Sequence, residues 1–535
     1  METTAYRRLR AGLTIAAIVT TGAISALFAG CVTVGPDFKQ PDAKLENQWL
    51  ESLPQTAQAS PSNAAEWWSA FDDPVLTEFE RLAYERNLSL QIAGLHIFEA
   101  RAQLAISTRD LFVQQGSLSA GAARLDNSGI GPFPPEHLWT EHFRASASWE
   151  LDFWGKYRRQ IESDRAKLSV SEAAYDNALV SLFGDVANAY IDLRAQERRL
   201  DVAKQNLQSV QQTHAITRTQ YRTGAASMLD VEQSATLVAE TEAQIPPLEK
   251  ARAQDRDTLA VLLADTPDSI EALLAGASAI PAAPAHIDVG IPRDLLRRRP
   301  DVRQAALNAA AQSALIGVQK AKLYPSLSLT GIFGMSSGEQ HSLGPLDWGS
   351  KTFTLFSAGV TLPIFDRAQL QNAVRMQDAA FQEAIFDYQN TVFEAQREVE
   401  DAIASLRTSR TALEATERAA DSSQRALKLA TVQYKAGSTG FDSVLSASRS
   451  MLHDRDALAQ NQGLVSLAAV SLYRSLGGGW QVAAGRPVVS EPVVSQMKER
   501  TNWGTLIDLP VPTVISSPDP SPVARQAGEP LEPKK

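Results

Sequence analysis

The chain reads as an α+β membrane protein in which four amphipathic β-strands accompany long paired helices, the whole set laid out twice. Three observations predict this. Segments of about 11 residues alternate apolar and polar side chains, the length a tilted strand needs to cross a bilayer. Leucine-rich heptads continue for tens of residues without proline. Distinct segments recur at an offset of about 213 residues.

The N-terminus is a targeting segment. Arg7, Arg8 and Arg10 give a positive start, Ala11 to Phe28 is almost uncharged and mainly apolar, and Leu27-Phe28-Ala29-Gly30-Cys31 follows. A stretch of that length also fits an uncleaved membrane helix. Leu-x-Ala-Gly-Cys resembles the bacterial lipobox, which implies cleavage after residue 30 and acylation of Cys31, the only cysteine of the chain. Several acyl chains, at about 0.8 kcal/mol per buried methylene, make a durable anchor in outer-membrane lipid. Val32 stands where an aspartate would signal inner-membrane retention, so the resemblance implies the outer membrane. Loss of residues 1–30 removes three arginines and Glu2, leaving a net charge of about −12 in place of −10. That acidity disfavours nucleic acid as a partner. A lone cysteine rules out a disulfide framework and a cysteine-rich metal site.

The strands come next. Phe143, Ala145, Ala147, Trp149, Leu151 and Phe153 share one side, and Arg144, Ser146, Ser148, Glu150 and Asp152 the other. Ser326 to Met335 puts Leu327, Leu329, Phe333 and Met335 on one face. Phe356, Ala358, Val360, Leu362 and Ile364 mark a fourth strand, and Val113 to Leu125 a weaker first one. Four strands cannot close a membrane barrel, and an open edge in lipid leaves backbone groups unpaired. The strands must therefore be pooled between copies, in a number that alternation leaves open.

The long helices follow the strands. Leu179, Val186, Leu193, Leu200 and Leu207 are seven apart, with Leu182, Ala189, Ala203 and Val210 filling the seam and Gln196 a polar break. Val399, Leu406, Leu413, Ala420, Leu427 and Tyr434 repeat the pattern. Lys156 to Tyr221 has no proline, which at 1.5 Å per residue predicts a rod of about 100 Å. Gly224 and Gly437 are the expected left-handed stops. Ser227-x-x-Asp230 and Thr439-x-x-Asp442 read as restarts with capping-box chemistry. Thr219-Gln220-Tyr221-Arg222-Thr223-Gly224 recurs as Val432-Gln433-Tyr434-Lys435-Ala436-Gly437. The expected layout is a signal peptide over 1–30 and a lipidated extended segment over 31–72. A first repeat covers 73–290, with a hairpin at about 113–153 and a tip at about 222–229. A second covers 291–480, with a hairpin at about 326–365 and a tip at about 435–441. A proline-rich tail over 481–535 carries a composition of disorder, at least beyond Ser516, while Trp503, Leu506 and Ile507 are available to pack on the helices.

These motifs resemble those of the TolC-like outer-membrane efflux proteins, in particular their NodT-type lipoprotein branch. The marks are Val34-Gly35-Pro36-Asp37-Phe38, Trp67-Trp68, Glu99-Ala100-Arg101-Ala102-Gln103 and Trp149-Glu150-Leu151-Asp152-Phe153-Trp154-Gly155. Leu296-Arg297-Arg298-Arg299-Pro300-Asp301, Tyr324-Pro325-Ser326, Leu362-Pro363-Ile364-Phe365 and Leu476-Gly477-Gly478-Gly479-Trp480 complete the series. The resemblance implies a homotrimer with a shared 12-stranded barrel and a periplasmic helical tunnel. Its partners would be a periplasmic adaptor (membrane-fusion) protein and an inner-membrane RND-type pump. It implies passive conduction of small toxic compounds, with control at the inner tips. Tyr221, Arg222 and Asp230 in one repeat and Tyr434, Lys435 and Asp442 in the other are the gate candidates, with Met228 and Phe441 as the apolar alternative. Ser446 departs from the family by replacing an aspartate, so that Asp442 is the available substitute, and Val113 stands where the second repeat has Pro325. An exit duct for protein secretion, and a purely structural coiled-coil lipoprotein, remain alternatives.

Other motifs read as architecture. Pro300 is a first helical residue with Asp301 favouring the helix N-terminus, and Gly477-Gly478-Gly479 lacks the Lys-Ser/Thr of a phosphate loop. The carboxylates Glu394, Glu398, Glu400 and Asp401 read as a solvated helix face. The seven histidines (His96, His137, His142, His214, His286, His341, His453) show no metal-binding spacing, and no nucleophile elbow is present, so neither catalysis nor a cofactor is expected.

Overall fold

A computed structural model describes residues 33–41, 48–51, 65–127, 136–275, 279–287, 298–339 and 352–508. The expected signal peptide, Cys31 and the tail beyond residue 508 lie outside them. In chain order come α1 (Pro74–Arg86), α2 (Leu88–Arg109), β1 (Gln115–Asn127), β2 (Glu136–Leu151) and α3 (Lys156–Arg222). Then follow α4 (Met228–Glu242), α5 (Ile245–Leu262), α6 (Pro267–Leu274), α7 (Pro300–Ala321), β3 (Ser326–Glu339) and β4 (Thr352–Thr361). The series ends with α8 (Arg367–Lys435), α9 (Phe441–Ser475) and α10 (Glu491–Arg500). Among the described residues no helix is long and apolar enough to cross a membrane.

The chain forms two compact units, each built from pieces of both repeats. The first comprises Met1–Pro41, Glu99–Val170 and Ala306–Asp387; the second comprises Asp42–Phe98, Ser171–Ala305 and Tyr388–Lys535.

The first unit holds one antiparallel sheet in the order β1-β2-β3-β4. Its register aligns the apolar alternation across strands. Leu118 faces Ala145, Ala145 faces Phe333, Trp149 faces Leu329, and Leu329 faces Ala358. Directly opposed residues point to the same side, so Leu118, Ala145, Trp149, Leu329, Phe333, Phe356 and Val360 fall on one face. Ser117, Ser146, Ser148, Ser328, Thr330 and Ser357 fall on the other, where the Ser117 and Ser146 hydroxyls lie 2.7 Å apart. Ile332, Phe353 and Leu355 also fall on this second face, exceptions to its polarity.

Several strand boundaries differ from expectation: β2 begins at Glu136 and ends at Leu151 in place of Phe143 and Phe153, β3 runs on to Glu339, and β4 begins at Thr352. The first strand starts at Gln115, two residues after Val113. Gln114 accounts for the shift: its side chain accepts from Glu150 N at 2.7 Å and donates to Glu150 O at 3.0 Å, doing with an amide what a ladder pair does. The fourth strand stops at Thr361, so Leu362 and Ile364 lie beyond it; Pro363 has no N–H to offer a ladder. The Trp149–Gly155 motif explains the corner that follows β2. Asp152 accepts from Tyr157 N and Arg158 N, both at 3.0 Å, and so serves the N-terminus of α3. The Trp149 indole donates to Leu111 O at 3.2 Å, and the Trp154 indole to Pro325 O at 2.8 Å while stacking on Tyr324.

The second unit is helical. Leu179, Val186, Leu193, Val399 and Leu406 are fully buried, as their heptad places require, while Leu413 is half-buried. Trp67 and Trp68 build a separate aromatic cluster: Trp67 stacks on Tyr473 at 5.2 Å, and Trp68 meets Phe183 at 4.6 Å. Arg299 shows that the arginine run does more than precede a helix. Its buried guanidinium donates to Ser475 O at 2.7 Å, closing the end of α9, and pairs with Asp301 and Glu398, each at 2.7 Å. Two carboxylates expected to be solvated are therefore engaged. Glu398 pairs with Arg299, and Glu400 accepts the backbone N–H groups of Leu50 and Glu51 at 2.8 and 3.0 Å. Glu394 and Asp401 share the exposed Arg397. After Trp480 the chain runs through α10; Trp503 approaches Phe98 at 6.4 Å and Ile507 is buried.

Candidate functional site

The two helix tips of the second unit are closed by the same backbone device. At the first, Ala225 N donates to Gln220 O at 2.8 Å and Gly224 N to Tyr221 O at 3.0 Å. At the second, Ser438 N donates to Gln433 O and Gly437 N to Tyr434 O, both at 3.0 Å. Gly224 and Gly437 take φ of +75° and +70°, the left-handed conformation that ends a helix with these two bonds.

Beyond the glycines the tips diverge. Ser227 forms a full capping box: its hydroxyl accepts from Asp230 N at 3.2 Å, and the Asp230 carboxylate accepts from Ser227 N at 2.8 Å. The expected counterpart at Thr439 does not form. Gly440 is the N-cap of α9 and offers no side chain, while the Thr439 hydroxyl lies 2.9 Å from that of Ser443. Gly440 and Ser443 occupy the places of Ser227 and Asp230. Asp442, one position early, is in the first turn without cap duty and favours the helix N-terminus by charge alone.

Burial diverges as well. Tyr434 is 7% exposed and Phe441 2%; their rings meet edge to face at 5.5 Å within a cluster of Val210, Leu237, Val444, Leu445, Met451 and Leu452. At the first tip Tyr221 is 45% exposed, Met228 50% and Leu229 65%. Burial pushes the Tyr434 hydroxyl above its ordinary value and the Asp230 carboxylate adds to this, against the pull of Thr217. The cluster joins the two repeats, since Val210 and Leu237 of the first pack with Tyr434 and Phe441 of the second. Farther along, Glu240 pairs with Arg449 at 3.2 Å and Arg199 with Asp456 at 2.8 Å, fastening α4 and α3 to α9.

Among the described residues the charged candidates make no ion pair with one another. Among the described residues Arg222 reaches only the Thr219 hydroxyl, at 3.3 Å, and neither Lys435 nor Asp442 makes an ion pair. Lys435 and Asp442 are exposed. The arrangement thus presents uncommitted charge of both signs beside a well-packed tip. Among the described residues no group of three or more histidine, cysteine, aspartate or glutamate side chains could hold a metal ion.

Comparison with known proteins agrees with this architecture. The signature described as "Outer membrane efflux protein" matches the chain over residues 81–265 and 291–478, two stretches that follow the internal duplication. Nodulation protein T of Rhizobium leguminosarum bv. trifolii is 30% identical over 469 residues, covering 87% of this chain and 98% of its own. A probable outer membrane lipoprotein, SilC of Salmonella typhimurium, is 27% identical over 85% of this chain and 98% of its own. Among solved structures, the outer-membrane channel OprN superposes with a TM-score of 0.75 at 28% identity, over 84% of this chain and 99% of its own.

Proposed function

Because the chain belongs to the outer membrane efflux protein family, we propose that it conducts small toxic compounds passively out of the cell as the outer-membrane channel of a tripartite pump. The observation that carries this reading is the sheet. One face carries a patch of apolar side chains, Leu118, Trp149, Leu329, Phe333, Phe356 and Val360, and among the described residues β1 and β4 each pair on one side only, so both outer edges are open. Lipid does not tolerate unpaired backbone, so the edges must meet those of other copies. Four strands per chain keep every junction antiparallel, and three copies give the 12-stranded barrel of the family. A periplasmic adaptor and an inner-membrane RND-type pump supply the drive. Acylation of Cys31 anchors it in the outer membrane. Mass spectrometry of the mature protein should find residue 31 as a lipidated N-terminus; an unmodified Cys31 or a retained leader sinks that assignment.

Control belongs to the tips. Among the described residues Arg222, Lys435 and Asp442 have no ion-pair partner, which leaves them to neighbouring copies around the axis. Each exposed pair contributes at most about 1 kcal/mol, so a ring of them holds the tips closed without locking them. Purified protein should conduct ions in planar bilayers, and Lys435→Ala combined with Asp442→Ala should raise single-channel conductance and admit large antibiotics such as vancomycin. Trimer stability should hardly change. Absence of any channel defeats the functional reading; wild-type conductance in an assembled double mutant defeats only the charge gate.

A further inference from the structure

The polar face of the sheet breaks its own pattern toward the strand ends remote from α2 and α3. Gln115, Ser148, Thr330 and Ser357 form one polar row across the four strands. The next row outward is Ser117, Ser146, Ile332 and Leu355, and the one after it Ser119, Arg144, Gly334 and Phe353. Rows on one face stand two residues apart, about 7 Å along the strand. In both outer rows β1 keeps its serine, while β3 and β4 bring Ile332, Leu355 and Phe353 together. Phe353 is 41% exposed and Leu355 51%. Large apolar side chains grouped on an otherwise polar face, as opposed to scattered singly, mark a contact surface.

Gly334 shapes the patch. A Cβ on it would lie 2.2 Å from Phe353 Cζ and 2.3 Å from Phe353 Cε1, so the ring lies across the glycine and reaches from β4 over β3. On the other side of β3 the residue in register with Gly334 is Arg144. Neighbouring strands are about 4.8 Å apart, which sets the arginine beside the ring's outer edge. Arg144 is exposed. Among the described strand residues Glu150 is the one carboxylate of this face, and Lys156 holds it at 2.9 Å. The face therefore offers an arginine, an aromatic ring and two aliphatic side chains in adjoining rows, with its own carboxylate committed elsewhere. All of these residues belong to the first unit.

We propose that Arg144, Ile332, Phe353 and Leu355 form a shallow station inside the barrel for aromatic anions on their way out. The inference rests on the channel reading above, in which lipid takes the apolar face of the sheet and water the other. The ring of the solute stacks on Phe353 and rests on Leu355 and Ile332, while its carboxylate or sulfonate accepts charge-assisted hydrogen bonds from the Arg144 guanidinium. A small anion without a ring meets only the arginine, and a neutral ring only the apolar wall; the two contacts together define the class. A trimer repeats the station three times around the bore. Its exposure keeps binding weak, which a conducting path requires, since a solute held tightly would not leave.

The test is block of the potassium chloride current of the full-length protein in planar bilayers. Naphthalene-2-sulfonate, added on the barrel side, should reduce the current, and methanesulfonate, the same anionic group without a ring, should not. Phe353→Ser and Arg144→Ser should each raise the half-blocking concentration about fivefold or more, the loss of one stacking or charge-assisted contact. Arg144→Lys should lose less than Arg144→Ser, because charge remains while the fork is gone. Ala358→Ser, on the opposite face, should leave the block unchanged. Leu355→Ala, with a weakening of about twofold, serves as the milder variant if the first two fail to assemble. Equal block by the two sulfonates, or an unchanged half-blocking concentration in every assembled variant of the station, overturns the station and leaves the channel standing. Protein that forms no channel at all overturns the reading beneath it.

Discussion

The two helix tips share a turn and differ in nearly everything after it. Gly224 and Gly437 stop their helices with the same pair of hydrogen bonds, yet Tyr221 stands in solvent while Tyr434 lies inside a cluster with Phe441. The first tip is closed by polar capping, the second by aromatic packing. Duplication preserved the backbone device, which depends on one local residue. It did not preserve the side-chain environment, which depends on what packs alongside. The first tip has its cap and spare apolar surface; the second has its packing and a spare carboxylate in Asp442.

The largest effect should come from removing the packing that separates them. Phe441→Ala empties a buried aromatic site and should destabilise the second tip by about 3–5 kcal/mol. The equivalent change at the first tip, Met228→Ala, should cost well under about 1 kcal/mol, since Met228 is half exposed. Amide exchange of residues 437–452 and 224–238 reads the two locally. Equal effects would erase the distinction between a packed and a capped tip.

The turn glycines sharpen the comparison from the other direction, because there the tips should agree. Gly224→Ala and Gly437→Ala each force a Cβ into the left-handed region and should cost about 1–2 kcal/mol apiece. Open space surrounds both positions, so no clash adds to the strain. A difference beyond about 1 kcal/mol in thermal or denaturant unfolding would show that the turns are not equivalent.

A smaller effect tests the carboxylates. Asp230→Ala removes half of a capping box and should destabilise α4 by about 1 kcal/mol. Asp442→Ala should leave helix stability almost untouched, because Asp442 serves no cap. Helix-specific exchange that found Asp442 the more costly would reverse the assignment of structural and uncommitted carboxylate.

The smallest effect concerns alkaline pH. The folded state holds the Tyr434 phenol above its ordinary value of about 10, chiefly by burial. The neutral form is favoured in the folded protein, so this contribution is complete below about pH 10 and is lost as pH rises above it. Tyr434→Phe should remove that alkaline loss, and Tyr221→Phe, altering an exposed ring, should leave it in place. Unfolding curves between pH 9 and 11 measure it; an unaltered pH slope in Tyr434→Phe would place the titration elsewhere.

What the sequence disclosed follows the same division between local and distant causes. The glycine stops, the Ser227 box, the heptad seam and the strand alternation are fixed by residues a few positions apart, and all were legible. The cap at Thr439 was misread because Gly440 takes the N-cap and Ser443 falls where the box needs a carboxylate. Tyr434 and Tyr221 sit in matching hexapeptides, so nothing nearby distinguishes them; Val210 and Leu237, some 200 residues upstream, bury one and not the other. Glu398 and Glu400 looked like solvated charge because their partners, Arg299 and the amides of Leu50 and Glu51, are distant in sequence. Arg159, whose guanidinium meets Val34 O and the Asp37 carboxylate, was hidden in the same way, one arginine beside another until the chain folds back on it. The glycines of Val34-Gly35-Pro36 and Trp154-Gly155-Lys156 were the available signal, since a glycine kept inside an otherwise bulky motif often marks a close approach of backbones.

The open edges of the sheet carry a genetic consequence. One edge is the small, polar β1, with Gly116, Ser117 and Ser119; the other is the bulky β4, with Phe353, Leu355 and Phe356. Joining β4 of one copy to β1 of the next is a head-to-tail union, in which each copy is donor at one edge and acceptor at the other. A copy with one ruined edge can still enter the ring by its intact side, and the ring then cannot close. Such an allele would behave as a dominant poison when co-expressed with wild type, whereas loss of the whole gene would be recessive.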